Sequence, residues 1–541
     1  MLFNWVLGLL LPLMSICATV CGQDCRSPLI NASVETLQDE LSGGCYTSEI
    51  LVKAYITRIN EVNSALHPIV EVNPDALHIA KELDKEREEG ETRGPMHGIP
   101  VLIKDMIGTS DKMQTTAGSL ALDGSRLDND SSVVTSLRQS GAIILGKTSM
   151  SEWMNFRSSN TSNGWSPRSG QTISAYHLKG DPNGSSSGSA VAVDLGLAAV
   201  ALGTETLGSI LFPSEVNNIV GIKPTLGLTS RYNVIPLSER QDTIGPMART
   251  VKDAARALQV IAGKDQKDNY TMTSPHETVP DYVSACQEDS LEGKRIGIPR
   301  NVLVTLGLLP YGAPVLAEFE KAVAVITDAG ATIVPDANVS TWEEFSTAKS
   351  FVATMQADFA SSIPRYLSKL KANPHNISNL EDLTRWTQRE PQEEYPIRDT
   401  AFWDGALALG FDNTSPQFWA LYQNNLRLGQ GLLKTFEQKD LDAVILPTSV
   451  APYLPGLVGT PAITVPLGAY PNGTDIVYND MKSLVQIAPG IPFGISFLGK
   501  HWSESELIGM AYAFEQRTQV RQKLKRVIEP KSEVTEKPPA C

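Results

Sequence analysis

The chain has 541 residues, 42% of them hydrophobic and 20% charged, with a formal net charge of -14. That length exceeds what one small core needs, and the composition is that of a globular protein, not a disordered or fibrous one. An acidic surface of this kind repels phosphate backbones, which argues against nucleic acid as a partner.

Trp5 to Ala18 is an apolar run broken by Pro12 and followed by small residues, with polar sequence from Gln23. It is short for a bilayer span and has the length of a secretory signal core. Residues 1–22 are therefore expected to be a signal peptide, cleaved between Ala18 and Gly22, which makes the mature protein secreted. No Lys or Arg precedes the run, so an uncleaved anchor stays open as the alternative. Asn-x-Ser/Thr sequons begin at Asn31, Asn129, Asn160, Asn269, Asn338, Asn376, Asn413 and Asn472, and a ninth at Asn183. They agree with export and glycosylation. Cleavage before Gln23 leaves Cys25, Cys45, Cys286 and Cys541, among which the sequence does not choose a pairing. Their spacing suggests no zinc site.

Residues 46–63 read as an amphipathic helix, with Leu51, Ala54, Tyr55, Ile59 and Val62 on one face and Thr47 or Ser48 as cap. Lys81 to Glu91 is a solvated charged run. Ile99 to Ile103 is a short strand-type run that delivers Lys104 and Asp105 at its end. A helix around Val133 to Leu137 stops at Gly141 and a strand follows from Ala142 to Leu145. Similar helix-then-strand units recur at Pro314 to Val334 and Phe436 to Leu446, with further strands at Arg295 to Ile298, Ala462 to Val465 and Phe493 to Phe497. This alternation predicts an α/β fold with a mixed, mostly covered sheet. No linker marks a second domain. The segment 527–541, charged and proline-bearing, is expected to be disordered.

The stretch Asp181 to Pro213 carries the chemistry. A turn runs into Gly184, Ser185, Ser186, Ser187 and Gly188, and a small-residue segment leads through Gly203 to a second loop, Thr204 to Ser209. A serine hydroxyl is a weak nucleophile until a base takes its proton. None of the seven histidines sits in a catalytic signature. Lys104, at the inner end of an apolar strand, is the base candidate, because desolvation favours the neutral amine. Gly203 and Gly208 would let the amides between them point at a developing oxyanion. Gly184 to Gly188 also fits G-x-S-x-G, the nucleophile elbow, with Ser186 central, although no apolar strand precedes it.

GIPVLIKD, GSSSGSAVAV, GTETLGSI, GIKPTLGLTSR with DTIGPMARTVKDAA, LPT with GTPAITVPLG, and PFGISFLGKHWSESELIGMAYAFEQ occur in this order. Together they resemble the amidase signature family of serine hydrolases, and GTET and NFRSS with GWSPRSGQT are similar to its peptide amidase branch. The resemblance implies one large catalytic domain, residues 23–526, with a mixed sheet covered by helices on both faces. It implies a Ser-Ser-Lys triad: Ser209 as nucleophile, Ser185 as bridging serine held by a cis peptide bond, and Lys104 as base. Backbone amides of Thr206, Leu207, Gly208 and Ser209 would form the oxyanion hole, and Ser159 resembles a substrate-contact position. The implied activity is hydrolysis of small-molecule or peptide amides through an acyl-enzyme, with no metal or organic cofactor. The chain departs from the family's pattern at Leu207, where Gly or Asp is common, and at Leu211, where Arg is frequent. An inert amide-binding glycoprotein and a biosynthetic esterase or amidase are the other readings.

Overall fold

The computed structural model describes residues 26–307, 311–348 and 350–536; the expected signal segment and its cleavage site lie outside them. Eleven strands form one sheet: β1 (Ile69–Val72), β2 (Pro100–Lys104), β3 (Ile143–Thr148), β4 (Val200–Glu205), β5 (Val220–Lys223), β6 (Thr243–Ala248), β7 (Arg295–Gly297), β8 (Thr332–Val334), β9 (Ala443–Pro447), β10 (Ala462–Ala469) and β11 (Pro492–Leu498). Their order across the sheet is β1-β3-β2-β4-β6-β5-β10-β11-β9-β7-β8. β3, β2 and β4 run parallel, as do β9, β7 and β8, while β4 through β9 pair antiparallel. Sheet and helices form one α/β domain. Strands covered on both faces read as unbroken apolar runs, which is why Val101 to Ile103 shows no alternation.

The predicted amphipathic helix is α1 (Ser48–Leu66). Thr47 caps it by accepting the Ile50 N–H, and its apolar face is buried as expected. Helices α2 (Ser187–Asp194), α3 (Leu211–Val216), α4 (Val251–Ile261) and α5 (Glu504–Thr518) pack on the central strands, covering both faces. β5 and β6 were not legible in the sequence. Pro246 interrupts β6 opposite Leu202, and glycines at 221 and 245 let the neighbouring chains close in; such residues argue against a strand until burial overrides them.

The C-terminal reading needs correction: residues 527–536 are docked, not free. Val534 is buried in the main core. Glu61 accepts the N–H groups of Lys531 and Ser532 at 2.8 and 3.0 Å. Arg58, fully buried, donates to the Ser532 carbonyl and pairs with Glu533 at 3.2 Å. A buried guanidinium needs acceptors, and the tail supplies them. Seven of the eight sequons outside the serine loop present exposed asparagines, but Asn413 is buried and donates to Asp358 at 2.9 Å, which leaves no room for a glycan. Cys45 is disulfide-bonded and Cys286 is a free thiol; Cys25 and Cys541 lie outside the described residues. No helix among the described residues is long and apolar enough to cross a membrane.

Candidate active site

β2 and β4 are parallel neighbours, so their C-terminal ends open on the same edge of the sheet. Lys104 ends β2, and the glycine-rich turn bearing Ser209 leaves β4. The serine loop enters α2 beside them. Its Gly184–Ser185 peptide bond is cis. The Ser185 carbonyl accepts Ser151 N–H, and Ser186 N–H donates to the Ser209 carbonyl at 3.1 Å, which ties the two serine loops together.

The lysine is enclosed. Lys104 Nζ lies 2.7 Å from Ser185 Oγ, 3.0 Å from Ser186 Oγ, 2.8 Å from Thr204 Oγ1 and 3.3 Å from the Thr204 carbonyl. Its exposure is 0%, and among the described residues no carboxylate pairs with it. Burial pushes its pKa well below the ordinary lysine value, opposed only in part by the charges of Asp242 and Glu205. A neutral amine donates twice and accepts once, so it can take the proton of the Ser185 hydroxyl. The geometry puts the amine within reach of the Ser185 hydroxyl proton.

The turn is built around a carboxylate. Glu205 Oε2 accepts the N–H groups of Ile210 and Leu211 at 2.8 and 3.0 Å, and the Gly208 amide also faces this carboxylate. The amides of Thr206, Leu207 and Ser209 make no hydrogen bond among the described residues. Three of the four expected oxyanion donors are thus free, whereas that of Gly208 supports the turn. Gly208 has φ +77°, and a Cβ there would stand 2.2 Å from the Phe212 ring, so the position requires glycine. Leu207 is not among the residues of positive φ and fits without strain. Its side chain rests against Gly456, where a Cβ would come within 2.6 Å. Leu211 is buried at the start of α3, and Thr206 Oγ1 donates to Asp242 at 2.5 Å.

Ser209 is part-exposed, and its hydroxyl makes no hydrogen bond among the described residues. Ser186 is excluded as an elbow nucleophile. It is fully buried, donates to the Thr204 carbonyl at 3.1 Å and accepts Thr204 N–H at 3.2 Å. Ser159 is exposed and donates to Asp399 at 3.3 Å. The residues of its segment that face the serine loop are Ser151 and Asn155, near which a Cβ at Gly184 would fall. Sequence reading also missed Thr204, whose hydroxyl holds Lys104, and Asp242, the nearby carboxylate. The quoted GTET and DTIGP contain both, but only the fold reveals the contacts. A cavity of about 280 Å³ reaches this back wall, lined by Met106, Thr204, Ile235, Asp242 and Tyr366 among others. Ser209 is not on its surface.

Known proteins resemble this chain over most of their length. The family model described as Amidase matches residues 50–508. A protein of Arthroderma benhamiae, an amidase by name, is 51% identical over 538 residues, covering 95% of this chain and 90% of its own. The native peptide amidase from Stenotrophomonas maltophilia superposes with a TM-score of 0.82 at 36% identity, covering 93% of this chain and 99% of its own. An amidase family protein from Bacillus anthracis str. Ames gives a TM-score of 0.80 at 31% identity, covering 92% and 93%.

Proposed function

The chain belongs to the amidase signature family, a hydrolase acting on carbon-nitrogen amide bonds, and from that premise we propose that it does so by a Ser-Ser-Lys relay. Ser209 Oγ attacks the amide carbonyl as its proton passes to Ser185 Oγ and the Ser185 proton passes to Lys104 Nζ. The amides of Thr206, Leu207 and Ser209 receive the oxyanion. The tetrahedral intermediate collapses with cleavage of the C–N bond, and the lysine proton returns through Ser185 to the departing amine. Water, deprotonated along the same path, attacks the acyl-enzyme, and the carboxylic acid leaves with Ser209 restored.

The observation that carries this reading is the 2.7 Å contact between Lys104 Nζ and Ser185 Oγ, both fully buried, with no carboxylate pairing with the lysine among the described residues. Linear carboxamides are the substrate class, and peptide C-terminal amides are favoured by the resemblance to the peptide amidase. The protein acts outside the cell, on the strength of the apolar run at Trp5 to Ala18 and the exposed sequons. The test compares Ser209→Ala with the unchanged chain on a panel of amides and esters. Amide turnover lost in Ser209→Ala supports the relay. Turnover retained there removes Ser209 from the chemistry.

A further inference from the structure

At the sheet edge opposite the serine loops, beyond the C-terminal end of α2, lies a polar cavity of about 630 Å³. Arg249, Arg521 and Arg526 line it, with Glu515 and Glu529 on its wall and Asn31 at its rim. Arg526 is satisfied: it donates to both oxygens of the fully buried Asp194 at 2.8 and 2.6 Å. Arg249 is buried and spends its terminal nitrogens on the carbonyls of Ala32, Val193 and Ala198, while its Nε has no acceptor and no carboxylate pairs with it among the described residues. Arg521 is the least satisfied. Its Nη2 donates to the Asp194 carbonyl at 3.1 Å and stands 3.6 Å from Oδ1 of the same residue; its Nε is buried without an acceptor, and no acceptor faces Nη1 among the described residues.

Arg521 and Arg526 therefore share one fully buried carboxylate, Asp194, while Arg249 also lies in the field of the buried Asp253. Glu515 does little to offset the guanidinium groups, because burial pushes its carboxyl up to about 8 and leaves it largely protonated at neutral pH. Glu529 is about half exposed and already pairs with Arg526 at 3.3 Å. A guanidinium presents five N–H donors in a plane and binds oxyanions through charge-assisted hydrogen bonds. We propose that this cavity is a binding site for a small doubly charged oxyanion of the phosphate or sulfate type, held chiefly by Arg521. The occupant bridges the segment after α5 to the end of α2, far from the hydrolytic chemistry, and ties the C-terminal region to the helix that carries the serine loop.

The full chain is titrated with inorganic phosphate, then with sulfate, in chloride at constant ionic strength so that screening is held fixed. Calorimetry and thermal melting are both followed. Wild type is expected to bind one equivalent saturably by calorimetry, with a melting temperature that keeps rising with the logarithm of ligand concentration above Kd as mass action requires. Arg521→Gln weakens binding by about tenfold or more, the loss of one charge-assisted contact. Val520→Asp, which sets a carboxylate on the cavity wall, weakens it likewise and serves if Arg521→Gln does not fold. Absence of saturable binding by wild type overturns the proposal, and so does undiminished binding by the folded variants. Neither result bears on amide hydrolysis, which is scored separately with Ser209→Ala.

Discussion

Replacing Lys104 by methionine separates the chemistry of the lysine from its burial. In the folded chain the amine is fully enclosed by neutral oxygens, and burial holds its pKa well below the ordinary value. In the unfolded chain it returns to about 10.4. The folded pKa of this base is depressed, so the unfolded chain binds the extra proton between the two values. Stability therefore rises with pH across that window, by about 1.4 kcal/mol per pH unit. The thioether of Lys104→Met carries no such linkage, and Lys147 and Lys223, both pushed down to about 8, are present in both proteins and cancel. At pH values between the folded and unfolded pKa the wild type should gain stability over Lys104→Met as pH rises, with a slope of about 1.4 kcal/mol per pH unit. Urea unfolding at pH 7, 8 and 9 measures this difference directly. Amide turnover of the variant should fall by about 10² to 10⁴. A stability difference that is flat with pH would mean that Lys104 is charged in the native state, and the relay as drawn could not operate.

Amide turnover itself should drop on the acid side as Lys104 becomes protonated, with no such limb in Lys104→Met; a pH–rate profile checks it. Gly208→Ala should cost about 1–2 kcal/mol in backbone strain alone, besides driving a methyl into Phe212, and should abolish activity; thermal melting and turnover together decide. Truncation after Arg526 strips Arg58 of Ser532 and Glu533. It should destabilise the chain by about 3 kcal/mol or more, since a buried charge is left short of partners. Glycopeptide mapping of the protein expressed through a secretory pathway should find Asn413 unoccupied, because its amide is buried against Asp358.

Much of this molecule is legible in its sequence. Lys104 announces itself by following an unbroken apolar strand, and α1 by the spacing of Leu51, Tyr55, Ile59 and Val62. The serine and glycine loops are readable as turns because only small residues tolerate such backbone. Other features are not local. Pro246 hides β6, which exists because β4 and β5 flank it. The polar tail packs only because Arg58 lies buried beneath it, hundreds of residues away in sequence. Ser159 looked competent by position, yet the chain turns it outward to Asp399, and Asn155 faces the serine loop in its place. Thr204 and Asp242 become meaningful only when the neighbouring strands bring them to the lysine.

The relay is tested most directly by trapping the nucleophile. A fluorophosphonate is reacted with the full chain at several pH values, and the adduct is located by peptide mass mapping. Modification at Ser209, slowing as pH falls and suppressed in Lys104→Met, is the predicted result. An adduct on Ser185 or Ser186, or labelling of Ser209 at a rate indifferent to both pH and Lys104, would contradict it.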